Sequence, residues 1–72
     1  MNDFNFGNRL YELRKKAGLS QALLGKAVGV SNKAVSKWES GKAKPGVDVI
    51  RRLSDVLGVS VDELLDEQEP EK

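Results

Sequence analysis

The sequence predicts an all-α fold, a compact five-helix bundle in one domain. Its 72 residues suffice for a single domain. No segment alternates polar and apolar residues with period two, so no strand is predicted. A tripeptide of glycine, an aliphatic residue and serine occurs three times. Each copy joins a residue suited to ending one helix to a residue suited to beginning the next.

The repeated tripeptide also predicts how each new helix is fixed. The aliphatic residue precedes the serine cap, where it can pack on the residue five positions later as a hydrophobic staple. All three of those later residues are apolar, and Glu63 follows Ser60 at the spacing of a capping box. The copies are Gly18-Leu19-Ser20, Gly29-Val30-Ser31 and Gly58-Val59-Ser60, and the staple partners are Leu24, Val35 and Leu64.

These signals, with Gly41 ending the third helix and Pro45-Gly46 opening the fourth, place all five helices. The acidic stretch after Leu65 has no apolar side chains to bury, so residues 67–72 are predicted to be a disordered tail. The domain is predicted to comprise residues 1–66. Apolar spacing predicts two buried stripes. The predicted helices are 6–17, 21–28, 32–40, 47–57 and 61–66. The stripes are Phe6, Leu10, Leu13 and Ala17 in the first helix, and Val49, Ile50, Leu53, Val56 and Leu57 in the fourth.

Composition argues against several classes of function. The chain contains no cysteine and no histidine, which removes the commonest nucleophile, general base and soft metal ligands. We therefore expect no enzyme activity, no metal and no cofactor. Asp62 and Glu63 fit better as partners of a helix N-terminus, and Asp66 and Glu67 as part of a solvated tail. No stretch approaches signal-peptide or membrane-spanning length, so we expect a cytoplasmic protein.

Charge is distributed unevenly along the chain. Residues 1–44 carry nine basic and three acidic side chains, a net of +6, whereas residues 45–72 carry a net of −5. A basic half suggests a polyanionic partner. On charge alone, a mixed solvated surface explains the pattern equally well.

The third predicted helix has two chemically distinct sides. Ala34, Val35 and Trp38 share one side, and the opposite side is polar or basic. A helix shorter than ten residues fits the DNA major groove, where asparagine suits adenine, lysine suits guanine and serine suits several bases. Taken alone, the helix is explained more simply as an amphipathic surface helix. The polar side consists of Asn32, Lys33, Ser36 and Lys37.

The neighbouring residues favour DNA binding. Gly25 lies in the middle of the second helix, where glycine costs about 1 kcal/mol relative to alanine, and this indicates close backbone approach. Ser20 and Gln21 begin that helix, whose free amides can approach a phosphate. Lys42 and Lys44 directly follow the third helix, where a second phosphate contact is expected.

The residues carry a family resemblance. The run LSQALLGKAVGVSNKAVSKWESGKAKP resembles the helix-turn-helix of the Xre/Cro/phage C1-repressor family, and DVIRRLSDVLGVSVDELL resembles that family's last two helices. The resemblance covers residues 6–66. It implies a lambda-repressor-like DNA-binding domain in a bacterial or phage transcriptional regulator of the repressor kind. It also implies a homodimer on a palindromic operator of double-stranded DNA.

The resemblance further assigns roles to residues. Arg14 and Glu39 match a structural pair that joins the first helix to the end of the third. A carboxylate is disfavoured at a helix C-terminus, and a cation such as Arg14 would relieve that cost. The positions that read bases in the family correspond to Gln21, Asn32, Lys33, Ser36 and Lys37. The positions that bind phosphates in the family correspond to Ser20, Gln21, Lys42 and Lys44.

One alternative function and one open question about the fold remain at this point. A protein-interaction or antitoxin module can keep the same fold, although it need not keep the outer side of the third helix amide, hydroxyl or basic. The fifth helix, with Val61 and Leu65, is the candidate dimer surface. Leu65 is equally well explained as closing the core of the monomer.

Overall fold

The computed structural model describes the backbone of residues 3–65 and the side chains of residues 6–65, which form five α-helices with no strand. The helices are α1 (Asp3–Ala17), α2 (Gln21–Val28), α3 (Asn32–Glu39), α4 (Val47–Leu57) and α5 (Val61–Leu65). Within this range, no helix is long and apolar enough to cross a membrane.

The predicted helix bounds agree with the described residues apart from small differences at two ends. α3 ends one residue early, within the usual uncertainty of helix ends. α1 begins three residues before the predicted start, because the prediction used the first residue of the buried stripe, and a first turn can precede that stripe. Asp66, the predicted last residue of α5, and the predicted tail 67–72 lie outside the described residues.

The three serine caps are confirmed, and both residues of each predicted staple lie in the core or pack against it. The Ser20 hydroxyl accepts a hydrogen bond from the Leu23 amide at 3.0 Å, and the other two serines make the same bond three residues ahead at 3.0–3.2 Å. Leu24, Val35 and Leu64 are fully buried. The aliphatic residues before the caps pack against the core; they are Leu19, Val30 and Val59.

A single core draws side chains from all five helices. α3 packs against α1 and α2, while α5 packs against α1 and α4. Each helix therefore buries one stripe against its neighbours and leaves its other side in solvent. The core residues are Phe6, Leu10, Leu13, Leu24, Val28, Val35, Trp38, Ile50, Leu53 and Leu64.

Two residues of the predicted stripes are exposed instead. Ala17 is exposed because burial of α1 ends at Arg14, which occupies the interior position at that turn. Val56 is 37% exposed. The buried side of α4 centres on Ile50, Leu53 and Ser54, and neighbouring helical residues point about 100° apart, which places Val56 at its edge.

Two glycines bring α3 close to its neighbours. A Cβ at Gly25 would lie 2.7 Å from the carbonyl oxygen of Val30, so the close approach expected at this position is confirmed. A Cβ at Gly7 would lie 2.6 Å from the carbonyl oxygens of both Trp38 and Glu39, an approach that the sequence analysis missed. Main-chain contact thus fixes α3 at both ends.

The cap of α4 offers a stabilising substitution. Gly46 has φ −74° and ψ 173° and makes no side-chain cap bond, whereas the capping Ser20 has φ −78° and ψ 167°. A Cβ at Gly46 would meet nothing within 4 Å. We expect Gly46→Ser to raise the free energy of unfolding by about 0.5–1 kcal/mol, measured by urea denaturation.

The matched control places the same side chain on a glycine with a different backbone. A Cβ at Gly58 would also meet nothing within 4 Å, but the φ of Gly58 is +71°. Gly58→Ser should therefore lower stability by about 1 kcal/mol. Equal effects of the two substitutions would contradict the capping explanation.

Candidate nucleic-acid interface

The outer side of α3 presents the predicted polar surface. Val35 is fully buried and Trp38 is 6% exposed, so these two residues fix the rotation of the helix about its axis. The opposite residues lie in solvent as predicted. They are Asn32, Lys33, Ser36 and Lys37, and together they are called the α3 face below.

A concavity lies between the end of α1 and the start of α2 and reaches the first residue of α3. Ser20, Gln21 and Asn32 line it, so the structure brings two predicted phosphate-binding residues beside one end of the α3 face. Lys15 lines the same concavity and is exposed. Lys15 was not among the predicted site residues, although it lies in a basic last turn of α1, Arg14-Lys15-Lys16, which is a usable signal.

The predicted pair of Arg14 and Glu39 forms a bidentate ion pair. The Arg14 Nε lies 2.6 Å from Oε2 of Glu39 and Nη2 lies 3.1 Å from Oε1. Both side chains are less than a tenth exposed. The hydrogen bond from Arg14 to Glu39 is the main cause that raises the pKa of Arg14, against the lowering effect of burial. The guanidinium therefore stays charged.

The same arginine also ties the α1–α2 connection to this pair. Its Nη1 donates to the carbonyl oxygen of Leu19 at 2.8 Å, and the guanidinium carbon lies 5.3 Å from the centre of the Tyr11 ring. Arg14 thus holds α1, the connection before α2 and the end of α3 together. This is the arrangement that the predicted structural pair requires.

Gln21 takes part in this cluster as well. Its Nε2 donates to Oε1 of Glu39 at 3.0 Å, and the side chain is half-buried. Gln21 was predicted to contact DNA, and its bond to Glu39 was not predicted. No sequence signal marks it, because it joins residues 18 positions apart that meet only when α2 packs on α3.

The loop after α3 is fastened to the end of that helix. The amides of Lys42 and Ala43 and the hydroxyl of Ser40 all donate to the carbonyl oxygen of Lys37, at 2.9–3.3 Å. Lys42 and Lys44 are both exposed at the surface. The structure therefore holds the first of the predicted backbone-binding lysines beside the C-terminal end of the α3 face.

Comparison with known proteins identifies the family. A family model described as helix-turn-helix matches residues 10–64. The chain belongs to the Xre/Cro/C1 helix-turn-helix family. Repressor protein C2 of Salmonella phage P22 is 45% identical over 65 residues, which are 90% of this chain and 30% of that protein. The transcriptional activator BcrR of Enterococcus faecalis is 39% identical over 89% of this chain and 31% of its own length.

A solved member of the family confirms the fold. The crystal structure of the P22 c2 repressor with a synthetic operator has a TM-score of 0.82 and 43% identity, covering 88% of this chain and 96% of that chain. The lambda-repressor-like, five-helix architecture is thus shared with a helix-turn-helix repressor domain. The chain spans about a third of the length of the two curated relatives named above.

Proposed function

We propose that the chain binds double-stranded DNA in a sequence-specific manner, with α3 in the major groove. The α3 face carries this proposal, because its four exposed side chains can all donate hydrogen bonds and none is acidic. Each has a complementary base edge in the major groove. The side of α3 opposite the groove is fixed by Val35 and Trp38, which keeps the reading residues in register.

Phosphate contacts on both sides of the α3 face would set the position on the duplex. On one side, the start of α2 offers Ser20, Gln21 and its free amides, with Lys15 beside them. On the other side, Lys42 and Lys44 extend the basic surface. The two groups flank the reading residues, as a helix lying in the groove between two phosphate strands requires.

The biological role that follows is regulation of transcription in the cytoplasm of a bacterium or a phage host. The relatives named above include a repressor and an activator, and we propose repression because the more similar of the two is a repressor. The role requires no catalysis. Among the described residues, no group of three or more His, Cys, Asp or Glu side chains is placed to hold a metal ion.

Selection of sites from a randomised duplex DNA library, at two salt concentrations, tests this function. An inverted repeat with half-sites about 34 Å apart is the expected result. Recovery of no motif, with weak binding that disappears as salt rises, would contradict sequence-specific reading. The protein-interaction or antitoxin module would then be the better explanation.

We also propose that two copies bind together through a groove between α4 and α5. Val47 is 67% exposed at one edge of this groove, and Val61 and Leu65 lie at the other. Val61 and Leu65 also pack against the core, so they serve the monomer as well. Arg51 and Asp55 line the same groove one helical turn apart.

These charges suit a twofold interface, because such an interface places one patch against its own copy. Arg51 of one copy can then meet Asp55 of the other. We expect Arg51→Asp to weaken binding to an inverted repeat about tenfold, an energy near 1.4 kcal/mol, while binding to an isolated half-site is unchanged. Gel-shift titration on the two duplexes measures both.

The charge swap provides the control. Adding Asp55→Arg to Arg51→Asp restores opposite charges across the interface and should restore tight binding to the inverted repeat. If the double variant binds as weakly as the single one, the pairing of these two residues between copies is wrong.

A further inference from the structure

Tyr11 is an exposed aromatic residue on α1, outside the helix-turn-helix formed by α2 and α3. The residue is 48% exposed, and no hydrogen bond to its hydroxyl group occurs among residues 6–65. A phenol can both donate and accept a hydrogen bond. Tyr11 therefore offers a polar group to a ligand that approaches this side of α1.

The ring of Tyr11 is held in place by Arg14. The guanidinium carbon of Arg14 lies 5.3 Å from the ring centre, within the range of a cation–π contact. All three nitrogen atoms of this guanidinium are bonded, two to Glu39 and one to the carbonyl oxygen of Leu19. Because the guanidinium is fixed, the ring that packs against it has little freedom, and binding through its hydroxyl group immobilises little more.

Tyr11 lies next to residues that are proposed to bind phosphate. Lys15 follows it by four positions, which places both side chains on the same side of α1, and both are exposed. Lys15 lines two neighbouring concavities. One of them reaches Ser20 and Asn32, and the other is lined by Tyr11. A continuous surface therefore runs from the start of the α3 face over Lys15 to Tyr11.

The charges around the second concavity suit an anion. Two acidic residues lie near it, and both pair with Arg9: Glu12 at 3.9 Å and Glu63 at 3.5 Å. Lys15 and Lys16 also line this concavity, and neither makes an ion pair among residues 6–65. The two lysines therefore keep positive charge available beside the tyrosine.

We propose that Tyr11 binds a DNA phosphate next to the one bound by Lys15, with its hydroxyl group donating to a phosphate oxygen. The inference rests on the proposed function and extends the interface from the helix-turn-helix onto α1. Tyrosine is among the side chains that donate to phosphate in protein–DNA complexes, and such contacts position the protein without reading sequence.

Tyr11→Phe tests the hydroxyl group alone, because phenylalanine keeps the ring that packs on Arg14. We expect this variant to bind the selected operator about fivefold to tenfold more weakly, since a hydrogen bond to a charged group is lost. Base preferences and the dependence of log affinity on log salt should stay as in wild type, because every charge remains. Lys15→Ala should instead lower that salt dependence by ~1. Gel-shift titration at several salt concentrations measures these effects.

Ethylation interference locates the contact on the duplex. Ethylating a phosphate that the protein binds weakens the complex. We expect one phosphate in each half-site at which ethylation weakens binding of wild type and no longer weakens binding of Tyr11→Phe. Lys16→Ala is the control, because Lys16 lies about 140° around α1 from Tyr11, and it should keep the wild-type interference pattern.

The possible failures point to different errors. A Tyr11→Phe variant that has the affinity and interference pattern of wild type would overturn the inference alone. A change of base preference in Tyr11→Phe would also overturn it, since a phosphate contact carries no sequence information. A wild-type protein that selects no motif would overturn the proposed function and this inference with it. Urea denaturation, in which Tyr11→Phe should match wild type, shows that a loss of binding is not a loss of folding.

Discussion

Replacing Arg14 by alanine is expected to lower the free energy of unfolding by about 3–5 kcal/mol, because Glu39 is then buried without its cation. Both side chains are less than a tenth exposed, and the shortest N–O distance between them is 2.6 Å. A domain of this length has a total stability of about 4–10 kcal/mol. Urea denaturation followed by circular dichroism should therefore show a variant that has lost a large part of its stability.

Arg9→Ala removes another arginine of α1 and provides the comparison. Arg9 lies 3.5 Å from Glu63 and 3.9 Å from Glu12, but its side chain is 29% exposed and those of its partners are 50% and 70% exposed. Exposed pairs contribute about 1 kcal/mol or less. An Arg14→Ala variant that loses no more stability than Arg9→Ala would contradict the role given to burial.

The apolar double variant separates the energy of the pair from its geometry. Arg14→Met with Glu39→Leu removes both charges together, so no unpaired charge remains in the interior. We expect it to recover most of the stability lost in Arg14→Ala, because apolar replacement of a buried pair is often neutral or stabilising.

The second large effect is expected at Lys37, on the α3 face. Lys37→Ala should weaken binding to the selected operator about tenfold to 100-fold and relax preference at one or two base pairs, since a specific base contact contributes about 1–3 kcal/mol. Competition binding with duplexes changed at single positions measures both. The side chain is exposed, so the fold should remain intact.

Lys42→Ala serves as the matched lysine variant, because Lys42 lies in the loop fastened to Lys37. It should weaken binding to all sequences about equally and lower the dependence of log affinity on log salt by ~1. If both variants kept the wild-type base preferences, Lys37 would be a phosphate contact. A change of preference in Lys42→Ala would move that residue to the base-reading group.

Local signals in the sequence predict the helices and the α3 face well. The glycine and serine of each repeated tripeptide act within five residues of one another, so their roles follow from backbone geometry without knowledge of the fold. Gly25 is an intermediate case. Its unfavourable place inside a helix signals close approach, and the structure supplies the partner, the carbonyl oxygen of Val30.

Contacts between distant helices are predicted less well. Gly7 carries the same signal as Gly25, but nothing in the sequence shows that its partners are the last residues of α3. The bond from Gln21 to Glu39 depends on the angle at which α2 crosses α3. Ala17 and Val56 show a related limit, because helical spacing places a residue on a side of a helix and does not say how far the neighbouring helix extends.

The main-chain contacts of α3 with Gly7 and Gly25 bear on how such a domain acquires new targets. Because backbone atoms and the buried side chains Val35 and Trp38 hold the helix, the four exposed side chains of the α3 face are not needed to hold it in place. After gene duplication, drift at those positions alone can redirect one copy to another operator. The ancestral copy keeps its own target, and neither copy needs compensating changes in its core.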